Sequence, residues 1–234
     1  MINCARMCDI AAKYDVLLGD NQLSQLNTYA KLLVSWNEVM NLTAITQAEE
    51  IEEKHFLDCL LAAKLINSGA SVIDVGTGAG FPGMVLKIAQ PSIRLTLLDS
   101  LDKRLGFLRE VCDEIGADAE FLHLRAEEAG RLPEHREQYD IATARAVAPL
   151  NVLAEFCLPL VKAGGTFIAM KGKSAQEELS AAADAIALLG GRHEETVCFN
   201  LPDGSERNII IIRKVATSPE KYPRRSPAIK RKPL

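Results

Sequence analysis

A glycine-rich segment, Asp-Val-Gly-Thr-Gly-Ala-Gly at residues 74–80, follows a short apolar run and precedes a stretch with helical spacing. A strand that enters such a turn and then a helix brings backbone N–H groups beside a ligand. Gly76, Gly78 and Gly80 suit this turn because a Cβ atom would block close approach and because glycine tolerates positive φ. The segment therefore predicts an α/β fold in which this turn holds a nucleotide-like cofactor.

Short apolar runs alternate with amphipathic stretches from residue 71 onward. The alternation predicts a doubly wound, mostly parallel sheet. Residues 193–200 and 208–213 then form two strands without a helix between them, and Asp203-Gly204 is a hairpin turn signal, so an antiparallel hairpin should end the sheet. The other predicted strands are 72–75, 93–98, 119–124, 139–143 and 166–170, and the helices are 82–89, 101–115, 149–160 and 174–189.

Residues 1–70 are predicted to form an N-terminal helical extension, followed by a cofactor-binding domain at 71–215 and a basic C-terminal tail at 216–234. Apolar residues recur at helical spacing between Leu23 and Val34, and Asp20 or Asn21 can cap that helix. Thr46 and Glu49 have the spacing of a capping box, which predicts a further helix from there to about residue 66.

Charge is distributed unevenly along the chain. Residues 213–234 contain eight basic residues and one acidic residue, a net charge of +7, which leaves −11 for residues 1–212 of the overall −4. A basic tail on an acidic body is typical of proteins with a polyanionic partner. A simply solvated chain end explains the charge equally well, and both interpretations stay open on charge alone.

No apolar run approaches the roughly 18 residues that a membrane-spanning helix needs, and the N-terminus lacks a signal-peptide pattern. These features predict a cytoplasmic protein without membrane attachment. The six cysteines are expected to be free thiols, since a disulfide framework belongs to short secreted chains. Cys4 and Cys8 have helical spacing, but no second ligand pair follows, so no metal site is predicted.

Asp99 ends the second predicted strand, where a carboxylate suits the hydroxyls of a ribose. Gly78, Gly80 and Gly83 also match the pattern of dinucleotide-binding enzymes, so a NAD-dependent oxidoreductase is one alternative. Three features favour S-adenosylmethionine: the glycines begin directly after the strand, Asp74 would repel a pyrophosphate but tolerate an ammonium group, and the terminal hairpin is typical of methyltransferases by fold analogy.

Two further positions follow parallel strands and are expected near the cofactor. Glu127, after the third strand, suits the adenine amino group, although an acidic residue at a helix start needs no ligand to explain it. Arg145 follows the fourth strand and should flank the same crevice as Gly76. Lys171 and Lys173 follow the fifth strand, where they could neutralise phosphates.

The residues after the fourth strand also limit the methyl acceptor. They read Ala-Arg-Ala-Val at 144–147, without the Asn/Asp-Pro-Pro-aromatic motif of enzymes that methylate exocyclic amino groups. Methylation at a cytosine carbon requires a thiolate nucleophile, and residues 139–156 contain no cysteine. Both acceptor classes are therefore disfavoured, while small-molecule and protein acceptors stay open.

The chain resembles the GidB family of bacterial 16S ribosomal RNA guanine-N7 methyltransferases over nearly its whole length. The blocks that carry the resemblance lie at residues 36–45, 55–58, 72–83, 125–127, 144–146, 171–173 and 222–234. Two positions depart from the family pattern: many members have leucine at Phe81, and the tail often has Pro-Gly where Ser226-Pro227 stands here.

The resemblance implies methyl transfer from S-adenosylmethionine to N7 of a guanine in 16S ribosomal RNA of the small ribosomal subunit. A monomer is expected, because nothing in the sequence demands a larger assembly. Guanine N7 has a free lone pair, so no general base is needed and Arg145 is the one predicted catalytic residue. Predicted cofactor contacts are Asp74, Gly76, Gly78, Gly80, Phe81, Asp99, Ala126, Glu127 and Arg145. Predicted RNA contacts are Lys171, Lys173, Arg224, Arg225, Lys230, Arg231 and Lys232.

Overall fold

The computed structural model describes residues 1–234, and a seven-stranded sheet forms its centre in the order β3-β2-β1-β4-β5-β7-β6. Strands β1 to β5 are mutually parallel, and β7 is antiparallel to both β5 and β6. The strands are β1 Ser71–Val75, β2 Arg94–Asp99, β3 Glu120–His123, β4 Tyr139–Arg145, β5 Val161–Lys171, β6 Gly191–Asn200 and β7 Glu206–Lys214. The predicted doubly wound sheet with a terminal antiparallel hairpin is confirmed.

The second strand of the hairpin, β7, lies inside the sheet between β5 and β6. Residues 209–212 of β7 are four consecutive isoleucines, all buried, and they pair with Phe167–Met170 of β5. Because β7 is apolar on both faces, it fits between two neighbours, whereas the largely exposed β6 suits the edge.

Helices cover both faces of the sheet. One face carries the N-terminal helices together with α5 and α6, and the other carries α7 to α10. The helices are α1 Cys4–Ala12, α2 Asp20–Asn37, α3 Ala48–Glu50, α4 Asp58–Leu60, α5 Gly83–Ala89, α6 Asp102–Ile115, α7 Ala126–Ala129, α8 Leu150–Cys157, α9 Ala175–Leu188 and α10 Ser226–Arg231. None of them is long and apolar enough to cross a membrane.

Both predicted helix caps in the N-terminal region are wrong. Helix α2 begins after Gly19, whose backbone N–H donates to Gln22 Oε1 at 2.8 Å, and neither Asp20 nor Asn21 caps it. Helix α3 begins after Gln47, which makes no side-chain cap. A π-helical segment, Ile51–Leu57, then joins α3 to α4, which the spacing of apolar residues did not indicate.

The N-terminal helices share a core with α5 and α6. Leu26, Tyr29 and Leu33 of α2 are fully buried in one apolar cluster that also contains Met84 of α5 and Phe107 of α6. Residues 1–70 therefore form part of the support of the glycine-rich turn, which lies directly before α5.

The C-terminal residues pack on the opposite face of the sheet. Tyr222 is 7% exposed and Ile229 is fully buried, within the second apolar cluster. Arg224 makes a charged pair with Glu155 of α8, a fully buried carboxylate. These contacts bring α10 to the carboxyl ends of β1 and β4, beside the glycine-rich turn.

Candidate functional site

The glycine-rich turn has backbone conformations that favour glycine. Gly76, Gly78 and Gly80 have φ values of 69°, 57° and 92°. The N–H groups of Gly76 and Thr77 donate to the carbonyl of Leu98 at 2.8 and 3.0 Å, which joins the turn to β2. A Cβ atom on Gly80 would lie 2.5 Å from the Tyr29 hydroxyl, so helix α2 packs against the turn too closely for any other residue.

Asp74 lies beneath this turn and is fully buried. Its carboxylate accepts hydrogen bonds from the Thr77 hydroxyl at 2.6 Å, the Gly83 N–H at 3.0 Å and the Thr143 hydroxyl at 3.2 Å. Burial raises the pKa of Asp74 to about 6, although these hydrogen bonds oppose the shift. The carboxylate thus holds the turn to α5 and β4. Asp74 was predicted to contact the cofactor, but it does not line the cleft at the carboxyl ends of the parallel strands that is described next.

A cleft of about 590 Å³ opens at the carboxyl ends of the parallel strands. Its wall brings together four predicted cofactor contacts, Gly76, Asp99, Ala126 and Glu127. The apolar side chains of the lining suit a purine ring, while the carboxylates suit hydroxyl and amino groups. The apolar part of the lining includes Leu98, Leu124, Val152 and Phe156.

Asp99 is fixed in position by its neighbours. Its Oδ2 accepts from the Gly78 N–H at 2.9 Å and lies 3.3 Å from Arg104, and its Oδ1 accepts from the Leu101 N–H at 2.9 Å. The turn and the end of β2 are thereby held in one arrangement. Glu127, by contrast, makes no ion pair and is 7% exposed.

Arg145 faces a second cavity, of about 460 Å³, between the end of β4 and the N-terminal helices. Its Nη1 donates to Asp58 Oδ2 at 2.7 Å and to the Lys54 carbonyl at 2.9 Å. The guanidinium also lies 5.1 Å from the ring centre of Phe81. Arg145 and Gly76 are therefore on two adjoining cavities and not, as the sequence suggested, on one crevice.

His55 is held as a neutral ring by two neighbours. Arg145 Nη2 lies 3.0 Å from Nδ1, and because arginine can only donate, Nδ1 must be the acceptor. The proton then sits on Nε2, which donates to the Thr43 hydroxyl at 2.9 Å. Burial and the charge of Arg145 lower the pKa of His55 to about 3. The ring therefore has no free lone pair for proton abstraction.

Phe81 lies behind the turn and away from the cleft. Its ring stacks on His55 at 4.3 Å and on Tyr29 at 5.5 Å, and it is 6% exposed. The Tyr29 hydroxyl in turn donates to the carbonyl of Ala79. The structure thus places Phe81 between the turn and the N-terminal helices, where it supports the backbone that forms the cleft.

The two cavities meet at Ala146, which lines both of them and has a φ of 56°. This conformation is uncommon for a residue with a side chain. Ala146 thus forms the boundary between the cavities, and the residues after it, up to Pro149, line the larger cleft. Val147 covers Gly76, where a Cβ atom would lie 3.0 Å from the valine side chain. Nothing in the sequence marked Ala146 as special.

The predicted RNA contacts divide into two groups. Lys171 and Arg224 already have partners: Lys171 Nζ lies 2.7 Å from Glu178 and donates to the Ala148 carbonyl, and Arg224 contacts Glu155 at 2.6 Å. The others are exposed and make no ion pair; they are Lys173, Arg225, Lys230, Arg231 and Lys232.

Sequence reasoning missed two cations in the second cavity, Lys54 and Arg207. Asp58 contacts Arg145 and also Arg207 of β7, at 3.4 Å, and Lys54 lines the same cavity. The three-residue spacing of His55 and Asp58 places both on one helix face, which predicts that they order the helical segment against the cofactor-binding domain. Arg207 could not be found this way, because its approach depends on the insertion of β7 next to β5.

Known proteins of one family are similar to this chain over most of its length. The GidB family model, described as rRNA small subunit methyltransferase G, matches residues 22–210. A protein named Ribosomal RNA small subunit methyltransferase G from Alkaliphilus metalliredigens is 50% identical over 221 residues, 93% of this chain and 92% of that protein. A protein of the same name from Pelotomaculum thermopropionicum is 46% identical over 228 residues, 96% of this chain and 95% of that protein.

Solved structures share the fold at low sequence identity. TrmN from Thermus thermophilus superposes with a TM-score of 0.52 at 19% identity, covering 70% of this chain and 53% of that one. An rRNA methylase from Streptococcus thermophilus superposes with a TM-score of 0.50 at 14% identity, covering 66% and 92%. The sheet order and the terminal hairpin are thus those of a methyltransferase fold.

Proposed function

The chain belongs to the GidB family of rRNA small subunit methyltransferases, and from this premise we propose that it transfers a methyl group from S-adenosylmethionine to N7 of a guanine in 16S ribosomal RNA. The observation that carries the proposal is the pair of adjoining cavities on either side of Ala146. One has the chemistry of an adenosyl site and the other has the charge of a nucleic-acid site.

The larger cleft fits S-adenosylmethionine by the chemistry of its lining. Leu98 and Phe156 offer apolar surface to the adenine, the Asp99 carboxylate suits the ribose hydroxyls, and the Glu127 region suits the adenine amino group. When bound, S-adenosylmethionine supplies an electrophilic methyl group on a sulfonium. The chain's own contribution is to hold this cleft rigid through the turn and Asp99.

The second cavity suits the acceptor nucleotide. Its lining carries four cations, two carboxylates and the neutral His55, a net charge of +2, which favours an anionic polymer. Guanine N7 has an unprotonated lone pair, so the reaction requires positioning and no base. This agrees with the state of His55, whose ring nitrogens are both engaged. The charged residues are Lys54, Arg145, Lys171 and Arg207, with Asp58 and Glu178.

Arg145 acts in this proposal as a positioning residue. Its bonds to Asp58 and His55 fix the end of β4, which leads directly into Ala146, the boundary between the two cavities. A small shift of this boundary would misalign the methyl group and N7, and misplacement by about 1 Å can cost about 100-fold in rate.

The test is to map N7-methylguanine in small-subunit ribosomal RNA from cells with and without the protein, and to measure transfer from labelled S-adenosylmethionine to small subunits. We expect transfer by the wild type, its loss in Gly78→Asp and Arg145→Ala, and its retention in Arg192→Gln, an exposed residue far from both cavities. Calorimetry should show binding of S-adenosylmethionine and none of NAD. Absence of transfer to any ribosomal substrate would overturn the proposal.

A further inference from the structure

A basic cleft, separate from the two cavities described above, lies between α7 and α10. It adjoins the 590 Å³ cleft proposed for S-adenosylmethionine, here called the cofactor cleft. Its volume is about 840 Å³. The body of the protein contributes one wall and the C-terminal segment contributes the other. Four cations and two carboxylates line it, a net charge of +2: Arg125, Arg131, Arg225 and Lys230, with Glu127 and Glu128.

The cations of this basic cleft are available to a ligand. Arg125, Arg225 and Lys230 are exposed and make no ion pair, and Arg131 uses only its Nε, which donates to the Pro223 carbonyl at 2.7 Å. Of the acids, Glu128 already accepts from the backbone N–H of Arg125 at 3.0 Å. The cleft therefore offers unpaired positive charge, which suits the phosphates of a polynucleotide backbone.

The basic cleft and the cofactor cleft have a common wall. Arg125, Glu127, Ser226 and Lys230 line both of them. A ligand in one cleft therefore touches residues that also define the other. Such shared residues are a direct route for energetic coupling between two ligands.

Helix α10 is anchored at both of its ends. Before it, Pro223 packs against Gly130, where a Cβ atom would lie 3.0 Å from the proline ring. After it, the carbonyl of Leu234 accepts from Asn151 Nδ2 at 3.1 Å. Ile229 within the helix is fully buried. The C-terminal segment is thus a built part of both clefts and presents its cations at fixed positions.

We propose that the basic cleft between α7 and α10 binds the phosphate backbone of the substrate RNA, and that this RNA contact and the cofactor strengthen each other's binding through Arg125, Ser226 and Lys230. The inference rests on the proposed function, since it takes RNA as the substrate. It adds Arg125 and Arg131 of the body to the RNA interface and gives α10 a role in both binding events.

The test compares the double variant Arg125→Gln/Arg225→Gln with Arg94→Gln/Arg192→Gln. The second pair removes the same charge from exposed positions at the opposite end of the sheet. Small-subunit ribosomal RNA and assembled small subunits are titrated at several salt concentrations. We expect at least tenfold weaker binding for the first pair only. Its slope of log K against log salt should fall by about 1.5, since each phosphate contact contributes about 0.7–0.9.

The coupling is measured by calorimetry with S-adenosylmethionine, with and without saturating RNA. RNA should tighten cofactor binding to the wild type by about fivefold or more, and this ratio should approach one in Arg125→Gln/Arg225→Gln. The variant Arg125→Lys/Arg225→Lys, which keeps the charge, should retain most of the RNA affinity and the ratio. Circular dichroism establishes that each variant is folded.

Each result has a distinct meaning. Wild-type RNA affinity in Arg125→Gln/Arg225→Gln, with methyl transfer intact in the wild type, would overturn the basic cleft as the RNA site and leave the proposed function standing. An RNA-independent cofactor affinity in the wild type would overturn the coupling. Failure of the wild type to bind either RNA probe or to methylate small subunits would instead overturn the proposed function and this inference with it.

Discussion

Two buried titratable residues on either side of the glycine-rich turn have pKa shifts with opposite effects on stability. His55 has its folded pKa lowered to about 3 by burial and by Arg145, so the unfolded chain takes up the proton first and stability falls below about pH 6.5. Asp74 has its folded pKa raised to about 6 by burial, so the folded state takes up the proton first and stability rises as pH falls from about 6 to about 4.

Substitution should separate these two contributions between pH 7 and pH 5. Acidification across this range should destabilise the wild type by about 2 kcal/mol through His55 and stabilise it by about 1 kcal/mol through Asp74. Asp74→Asn should therefore lose stability on acidification, and His55→Gln should gain it. Urea unfolding at each pH measures the free energies, with the exposed His193→Gln as the matched control. Parallel pH profiles for the two variants would contradict the shifted pKa values.

For the single residues of the glycine-rich turn, the sequence predicted which residues form the turn but not which way each side chain points. Asp74 was expected to reach a ligand because it lies just before the glycine-rich turn. Successive side chains alternate between the faces of a strand, and the face that the carboxylate occupies was decided by α5. Gly83 lets this helix pack close to the carboxylate, since a Cβ atom on Gly83 would lie only 2.9 Å from it. That contact is tertiary and leaves no local pattern.

At the scale of an element, the composition of the C-terminal segment did not indicate that this segment is anchored to the body of the protein. Prolines and basic residues at 216–234 are typical of a linker, and nothing local distinguishes Arg224 from Arg225. In the structure Arg224 pairs with Glu155, which is fully buried, whereas Arg225 is exposed. Glu155 lies 69 residues earlier in the chain, so only the folded arrangement reveals the partner.

Arg224→Ala should destabilise the protein by about 3 kcal/mol, because it leaves the Glu155 carboxylate buried without its counter-charge. It should also weaken binding of S-adenosylmethionine, since α10 lines the cofactor cleft. Urea unfolding and calorimetry measure the two effects. Arg225→Ala, the adjacent substitution of the same type, should change stability by less than about 0.5 kcal/mol. Equal stabilities of the two variants would show that the charged pair does not anchor the segment.

At the scale of the whole molecule, the periodicity of apolar residues was enough to predict the sheet, its hairpin and most helix positions. It was not enough to say where the N-terminal helices dock. An amphipathic helix indicates that one face is buried, but not against what. The partner of α2 is α6, with Trp36 packed 5.8 Å from Phe107 between ring centres, and the hydroxyl of Tyr29 extends this contact to the turn.

The core shared by α2, α5 and α6 determines how we expect the chain to unfold. Residues 1–70 were expected to be an extension of a separate cofactor-binding domain, and such an extension could unfold first. Because α2, α5 and α6 bury one continuous apolar cluster, loss of the N-terminal helices would expose the core beneath the turn. We therefore expect one cooperative transition. Trp36 is the only tryptophan, so its fluorescence reports on the N-terminal helices, while circular dichroism reports on all helices and strands. The two urea curves should coincide. An earlier fluorescence transition would show that residues 1–70 unfold independently.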